Sequence, residues 1–148
     1  MKIILLSDDA IRLEPDEGPM TIEAIEPDQQ YSPFHMLASS LAYCTFSVMY
    51  SWATHTKQKG DDLVIEVRWK FSDEEPKRVA ELKLTYDWPS LPPKKQEAAK
   101  RVAAMCTIHE TLHHPPVVIT EPALAANAAG AAQPDEAEGG AHTPAGRA

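Results

Sequence analysis

Residues 32–55 read SPFHMLASSLAYCTFSVMYSWATH and predict one long helix at the centre of the fold. Ser32 is placed as an N-cap and Pro33 as the first helical residue, a pairing that favours a helix start. Apolar residues then recur at three- and four-residue spacing, which is the period of one helical face, and further apolar residues lie opposite. A helix that is apolar on nearly every side is typical of a buried central element. The first face carries Phe34, Leu37, Leu41, Cys44, Val48 and Trp52, and the opposite side carries Met36, Tyr43 and Tyr50.

Three short strands are predicted before this helix. Residues 1–6, 10–14 and 20–25 are apolar or alternate between apolar and polar side chains, and turn-forming residues separate them at 8–9 and 15–19. Alternation at period two is typical of strands, and short turns join antiparallel neighbours. The segment before the helix therefore predicts an antiparallel meander.

A hairpin, a second helix and a last strand are predicted after the central helix. Residues 63–71 and 78–86 alternate at period two around a polar loop, which predicts an antiparallel pair. Residues 94–113 predict a helix that begins polar and becomes apolar around Cys106, and the prolines that follow end it. Residues 117–120, VVIT, predict a short final strand. Strand runs separated by single helices predict an α+β fold.

Length and charge predict one globular domain. The chain has 148 residues, enough for one core but not for two comfortable ones. Its formal net charge of −8 repels phosphate backbones, which argues against a nucleic-acid partner. No stretch of the sequence approaches the ~20 apolar residues of a membrane span, and the N-terminal apolar run is shorter than the ~7–15 residues of a signal-peptide core. These features predict a cytoplasmic protein without a membrane partner. We assign residues 1–121 to the domain and residues 122–148, rich in Ala, Gly and Pro, to a disordered tail.

The two cysteines, Cys44 and Cys106, have several interpretations from the residues alone. A reducing cytoplasm disfavours a structural disulfide, and a cysteine on an apolar helical face is most often a small buried residue. Cys106, His109 and His113 share one helical face and are residue types that bind zinc, but three ligands seldom come from one uninterrupted helix. Histidines near a helix end are also favoured by the helix dipole. The sequence therefore predicts neither a metal nor another cofactor.

Two segments around these cysteines resemble the OsmC/Ohr family of small dimeric thiol proteins. Ser32-Pro33, followed by MLASSLAYC over residues 36–44, is similar to the family's central helix, in which Ser-Pro opens the helix and small and leucine residues lead to a cysteine. Residues 103–112, AAMCTIHETL, are similar to the family's second cysteine segment, which typically reads Cys-x-Val-His. The resemblance covers about residues 1–120.

The resemblance implies an α+β fold, an intertwined homodimer with the central helices at its interface, and reduction of organic hydroperoxides. Cys44 then matches the peroxidatic position and Cys106 the resolving position, and an external dithiol restores both thiols. The family's peroxidases also use an arginine from the N-terminal strands, for which Arg12 is the candidate here. Their glutamate near the start of the central helix has no counterpart, because that position falls on Phe34 or His35.

Two functions follow from the resemblance and the apolar helix. The first is a thiol peroxidase, whose attacking sulfur must be a thiolate, a state that a nearby cation such as Arg12 or a protonated His35 favours. The second is a catalytically inactive family member that binds a small apolar ligand as a dimer. A cation within reach of the attacking sulfur favours the thiol peroxidase, and the absence of such a cation favours the ligand-binding function. In the first function, the predicted substrate pocket is walled by Phe34, His35, Leu37 and Leu41.

Overall fold

The central helix α1 spans Pro33–His55, as predicted, in a computed structural model that describes residues 1–122. The helix begins with a capping box. The side-chain oxygen of Ser32 accepts a hydrogen bond from the backbone N–H of His35, and Nδ1 of His35 accepts one from the backbone N–H of Ser32 at 3.0 Å. This reciprocal capping, in which histidine stands where Glu or Gln is usual, satisfies N–H groups that a helix start leaves unpaired. It therefore sets the residue at which α1 begins.

Five strands of the described chain form one mixed sheet. They are β1 (Lys2–Ser7), β2 (Ala10–Glu14), β3 (Thr21–Ala24), β4 (Val64–Phe71) and β5 (Val79–Asp87), and they lie in the order β3-β1-β2-β4-β5. The pairs β1–β2, β2–β4 and β4–β5 are antiparallel, so the hairpin predicted after α1 is confirmed. With α1 packed on one face of this sheet, the molecule has the predicted α+β fold.

The predicted meander before α1 is wrong at its third strand. β3 pairs with β1 in parallel, with Thr21 opposite Lys2. β2 ends beside the start of β1, and residues 15–20 carry the chain around that start, where the backbone N–H of Thr21 bonds to the carbonyl of Met1 at 3.0 Å. A tight turn joins only adjacent antiparallel strands, whereas this longer connection lets the chain pass β1 and join its far side.

The predicted second helix over residues 94–113 is interrupted. A 3-10 turn at Pro93–Lys95 leads into α2 (Gln96–Ala103), and α3 (Thr107–His113) follows after a break. Cys106 has extended backbone angles, φ −65° and ψ 128°, and occupies the N-cap position of α3. The break turns its side chain into the core, where the exposed fraction is 0%. Apolar residues recur with helical spacing through both pieces, so the pattern does not reveal the break between them.

The final strand predicted at residues 117–120 is also wrong, because residues 117–122 form neither helix nor strand. β-Branched residues favour a strand only where a neighbouring strand completes the hydrogen bonding. The last strand of the described chain is β5, and two prolines without N–H groups come immediately before this segment. The predicted tail over residues 122–148 lies outside the described residues, except for Pro122.

The core lies between α1 and one face of the sheet. Successive strand residues point to opposite faces, and Ile11 and Leu13 of β2 belong to the same buried cluster as the inner face of α1. Arg12, which lies between them, therefore points to the other face. Burial of apolar surface contributes about 25 cal/mol per Å² toward folding. The helix supplies Ala38, Leu41, Ala42, Phe46 and Met49 to this cluster.

The side of α1 that faces away from the sheet is exposed in a single chain. We define the outer stripe of α1 as Met36, Ser40, Tyr43, Ser47 and Tyr50, which follow one another at three- and four-residue spacing. Met36 is 60% exposed, and Tyr43 and Tyr50 are each 48% exposed. The predicted burial of α1 therefore holds for its inner face and not for this stripe. No helix within residues 1–122 is long and apolar enough to cross a membrane.

Candidate functional site

Cys44 and Cys106 meet where α3 begins beside α1. Cys44 lies on the helical face that also carries Leu37 and Leu41, and Cys106 is the N-cap residue of α3. The side chain of Cys44 neighbours that of Cys106 closely enough to act on its pKa, and both are free thiols. A disulfide requires Cα atoms within about 7 Å, so only cysteines whose segments pack against each other can form one. The fold thus brings together the two cysteines that the sequence singled out.

The two thiols differ in accessibility, and burial acts on the pKa of the less accessible one. Cys44 is partly exposed, whereas Cys106 is fully buried. Burial raises the pKa of the Cys106 thiol above its usual value, and the neighbouring Cys44 side chain raises it further. The backbone N–H of His109 and the hydroxyl of Thr45 lower the same pKa, but burial outweighs them. Cys106 therefore keeps its proton at neutral pH, and Cys44 is the sulfur that a solute reaches first.

An open groove of about 940 Å³ runs between α1, β5 and α3. Leu41 lies in this groove one helical turn before Cys44, and His109 lies in it one turn after Cys106. The two cysteines are not among the residues that line the groove, but each lies one helical turn along the chain from a residue that does. Three of the predicted pocket residues line its α1 side: Phe34, Leu37 and Leu41.

Residues 79–84 of β5 and the exposed side of α3 complete the groove. On α3, the rings of His109 and His113 stack with their centroids 4.6 Å apart. On α1, the ring of Phe34 packs edge-on against Phe71 of β4, with centroids 4.7 Å apart. Aliphatic walls with a few polar groups suit a ligand that has an apolar body and one polar end.

His35 does not line the groove, and its contacts stabilise the fold. Its side chain is 2% exposed, and Nε2 donates to the carbonyl of Ser7 at 2.9 Å while Nδ1 accepts from the backbone N–H of Ser32. Both ring nitrogens are therefore engaged, and these partners require the neutral tautomer with its proton on Nε2. The ring also packs edge-on against Trp69, with centroids 5.2 Å apart. His35 joins the start of α1 to the end of β1.

Arg12 lies on the face of the sheet opposite α1. Its guanidinium is 3.3 Å from the carboxylate of Glu66 and 3.8 Å from that of Glu14. Ile11 and Leu13, on either side of Arg12, are the residues that face α1. The fold therefore does not bring Arg12 to Cys44 within one chain.

Within residues 1–122, no group of three or more histidine, cysteine or carboxylate side chains is arranged to hold a metal ion. The three residues considered as zinc ligands do not point into one site. The sulfur of Cys106 points into the core beside Cys44, whereas the rings of His109 and His113 lie in the groove. The break in the helix before α3 turns the Cys106 side chain away from the two histidines.

Thr45 is a site residue that the sequence analysis missed. It directly follows Cys44 in α1, is 1% exposed, and places its hydroxyl beside the sulfur of Cys106. The helical period indicates that position 45 lies toward the inner face of α1. The helical period gives no indication that Cys106, which lies in a distant segment of the sequence, packs against the turn of α1 that carries Thr45.

A family model described as OsmC-like protein matches residues 26–121. Among solved structures, an osmotic stress induced and detoxification response protein from Psychrobacter arcticus 273-4 is 19% identical over 74% of this chain and 84% of that chain, with a TM-score of 0.49. An OsmC-like hydroperoxide resistance protein from Jannaschia sp. CCS1 is 20% identical over 63% of this chain and 67% of that chain, with a TM-score of 0.50. At that identity, the second likeness concerns the fold alone. No curated protein matches the sequence.

Proposed function

The chain belongs to the OsmC-like protein family, and on that basis we propose that it reduces organic hydroperoxides through Cys44 and Cys106. The observation that carries the proposal is the contact between the two thiols, one accessible and one buried. A peroxide-reactive cysteine needs a second thiol that reaches its sulfenic acid before further oxidation. Cys106 lies in the right place for that second thiol.

The reaction runs in three steps. The Cys44 thiolate attacks the distal oxygen of the hydroperoxide, the O–O bond breaks, and an alcohol leaves after taking up a proton, so that Cys44 becomes a sulfenic acid. The sulfur of Cys106 then attacks the sulfur of Cys44, the S–O bond breaks, and water leaves as the disulfide forms. An external dithiol returns both cysteines to thiols by exchange.

The groove supports an organic hydroperoxide as the substrate. Leu37 and Leu41 offer apolar surface directly before Cys44 along α1, and Leu112 faces the same space from α3. Burying an apolar substituent there gains about 25 cal/mol per Å², a gain that hydrogen peroxide has no substituent to provide. Binding energy of this kind also holds the peroxide oxygen against the sulfur, which accelerates the attack.

One observation favours a second candidate function, a catalytically inactive dimer that binds a small apolar ligand. The two cations expected near the attacking sulfur are engaged elsewhere: Arg12 pairs with Glu66 on the far face of the sheet, and His35 uses both ring nitrogens. Without a nearby cation, a partly buried cysteine is a poor nucleophile. The groove alone is sufficient for ligand binding.

A thiol titration separates these two functions. Reduced protein is mixed with one equivalent of cumene hydroperoxide, and free thiols and intact mass are followed over time. We expect both thiols to disappear with a mass loss of two hydrogens, and we expect hydrogen peroxide at the same concentration to react more slowly. Unchanged thiols, together with saturable binding of cumyl alcohol, would instead identify the ligand-binding module.

Two substitutions at neighbouring positions of α3 test whether the groove binds the organic part of the substrate. Leu112 lines the groove, whereas Thr111 is exposed and is not among the lining residues. Leu112→Asn is expected to slow the reaction with cumene hydroperoxide and to leave that with hydrogen peroxide unchanged. Thr111→Asn is expected to change neither rate, because it adds the same side chain away from the groove.

We also propose that two chains associate through the outer stripe of α1. Met36, Tyr43 and Tyr50 leave large apolar surface in water, and the serines between them allow a second helix to approach closely. The stripe contains no charged residue, so the net charge of the chain is not concentrated where the two copies meet. Cys44 directly follows Tyr43 of the stripe along α1, so the proposed contact would lie near the two thiols.

Sedimentation equilibrium tests this association. We expect twice the mass of one chain for the wild type and the mass of one chain for Tyr43→Glu, which buries a charge in the interface. Lys70→Glu, a charge change at an exposed position of β4, is the control and is expected to remain dimeric. A monomeric wild-type chain at micromolar concentration would contradict the proposal.

A further inference from the structure

The hydroxyl of Thr45 is a buried polar group that its own helix does not satisfy. Thr45 is 1% exposed, and its Oγ1 has no hydrogen-bond partner anywhere in the described part of the chain. A buried hydroxyl without a partner gives up its hydrogen bonds to water and gains none in the protein, which disfavours the folded state. A buried polar group in this state therefore needs an explanation other than helix stability.

Other hydroxyls of α1 find a partner inside the helix. The hydroxyl of Ser47 donates to the carbonyl of Tyr43 at 2.9 Å, and Thr54 makes the same kind of bond at 3.1 Å. A bond to the carbonyl one turn earlier is the usual choice of Ser and Thr in a helix. Thr45 does not make it, so its hydroxyl hydrogen is free to rotate toward another acceptor.

The acceptor beside this hydroxyl is the sulfur of Cys106. The Thr45 hydroxyl lowers the pKa of the Cys106 thiol, as the backbone N–H of His109 does, against the larger effect of burial. Both groups therefore favour the charged form of this sulfur. A neutral thiol is a weak acceptor, whereas a thiolate is a strong one, so the hydroxyl is expected to donate to this sulfur once it is charged.

We propose that Thr45 is a positioning residue that donates a hydrogen bond to the Cys106 thiolate while this thiolate attacks the sulfenic acid of Cys44. The inference rests on the proposed function, since it concerns the resolving step of that reaction. Thr45 directly follows Cys44 in α1, so one turn of helix supplies both the sulfur under attack and the hydrogen-bond donor to the attacking sulfur.

The step balances without any further reactant. An electron pair of the Cys106 thiolate forms the S–S bond, and the pair of the S–O bond leaves with the hydroxide of the sulfenic acid. That hydroxide takes the proton which Cys106 releases, so one water is produced. Thr45 keeps its own proton throughout, because its part is to stabilise the charge on sulfur in a buried place where water does not reach.

The titratable groups around this sulfur are few. On α1 the neighbour that acts on its charge is Cys44, and on α3 His109 acts through its backbone N–H. The charged side chains of α2 and α3 nearest in sequence, which are Lys100, Arg101 and Glu110, are exposed to solvent. The pH profile of disulfide formation therefore reports on the ionisation of Cys106. Because burial raises the pKa of Cys106, the rate should continue to rise past about pH 8.5, the ordinary thiol value.

Two substitutions test the role of the Thr45 hydroxyl. Thr45→Val keeps the branched shape and removes the hydroxyl, whereas Thr45→Ser keeps the hydroxyl. In rapid-quench mass spectrometry with excess cumene hydroperoxide, we expect Thr45→Val to form the sulfenic acid at the wild-type rate and to convert it to the disulfide about 10-fold more slowly at pH 7. The pH profile of conversion should shift upward by about one unit, which corresponds to that factor. Thr45→Ser should convert the sulfenic acid to the disulfide at the wild-type rate and with the wild-type pH profile.

A second measurement needs no peroxide. In a Cys44→Ser chain, Cys106 is the remaining cysteine, and its ionisation can be followed by the ultraviolet absorbance of the thiolate. Adding Thr45→Val, or Thr45→Ala if the valine variant does not fold, should move this titration to higher pH. An unshifted titration with wild-type conversion in Thr45→Val would overturn the inference. A wild-type chain that forms neither sulfenic acid nor disulfide would overturn the proposed function, while the titration still decides whether Thr45 acts on Cys106.

Discussion

Cys44→Ser is expected to reduce turnover of cumene hydroperoxide by on the order of 1,000-fold or more, because the thiolate is the nucleophile and a hydroxyl does not replace it. Cys106 does not take over the role, since it is fully buried and its raised pKa keeps it protonated at neutral pH. The measurement is consumption of the peroxide in the presence of dithiothreitol, compared with the same solution without protein.

Cys106→Ser is the matched comparison and should behave differently. It keeps the accessible sulfur of Cys44, so one equivalent of peroxide per chain should be consumed at close to the wild-type rate. The product should be a sulfenic acid that dimedone traps, because no second thiol lies beside it to form a disulfide. If the two variants showed the reverse pattern, the roles assigned to Cys44 and Cys106 would be wrong.

His35→Ala is expected to lower the free energy of unfolding by about 3 kcal/mol. The substitution removes a helix cap and leaves the carbonyl of Ser7 and the backbone N–H of Ser32 without their side-chain partners. It also opens a cavity beside Trp69, against which the imidazole packs. For a domain of this size the loss corresponds to a fall in melting temperature of about 10 °C.

His55→Ala provides the control for that stability measurement. His55 ends the same helix but is exposed, and its Nδ1 contacts the carbonyl of Ser51 at 2.7 Å. Substitutions at exposed positions usually change stability by about 0.5 kcal/mol or less. Urea unfolding of both variants checks the comparison. Equal midpoints for the two variants would show that the capping box and the bond to Ser7 contribute little.

The central helix and the hairpin were predictable because their signals are local. Ser32-Pro33 marks a helix start with neighbouring residues, and period-two alternation marks β4 and β5. The parallel pairing of β3 depends on the path of residues 15–20 around β1, which no local pattern describes. The break before α3 likewise depends on the burial of Cys106 against α1, a contact between distant segments.

The candidate site was predictable to the extent that neighbouring residues define it. Cys44 and Cys106 were found because each lies in a segment that resembles a family motif. His35 was misread as a cation or pocket residue, although Ser32 three positions earlier is the spacing of a capping box. Arg12 lies between two apolar residues of a strand, and this alternation alone indicates a position on the face away from the core.

In the proposed reaction, the burial of Cys106 behind Cys44 also determines how the oxidised protein would be recycled. In the disulfide, an incoming thiol reaches the Cys44 sulfur, so Cys106 becomes the leaving group and the mixed disulfide with the reductant forms on Cys44. In the proposed cycle, the Cys44 sulfur therefore receives the oxidant in the reduced protein and the reductant in the oxidised protein. Any molecule that occupies the approach to that sulfur would stop both halves of the cycle at once.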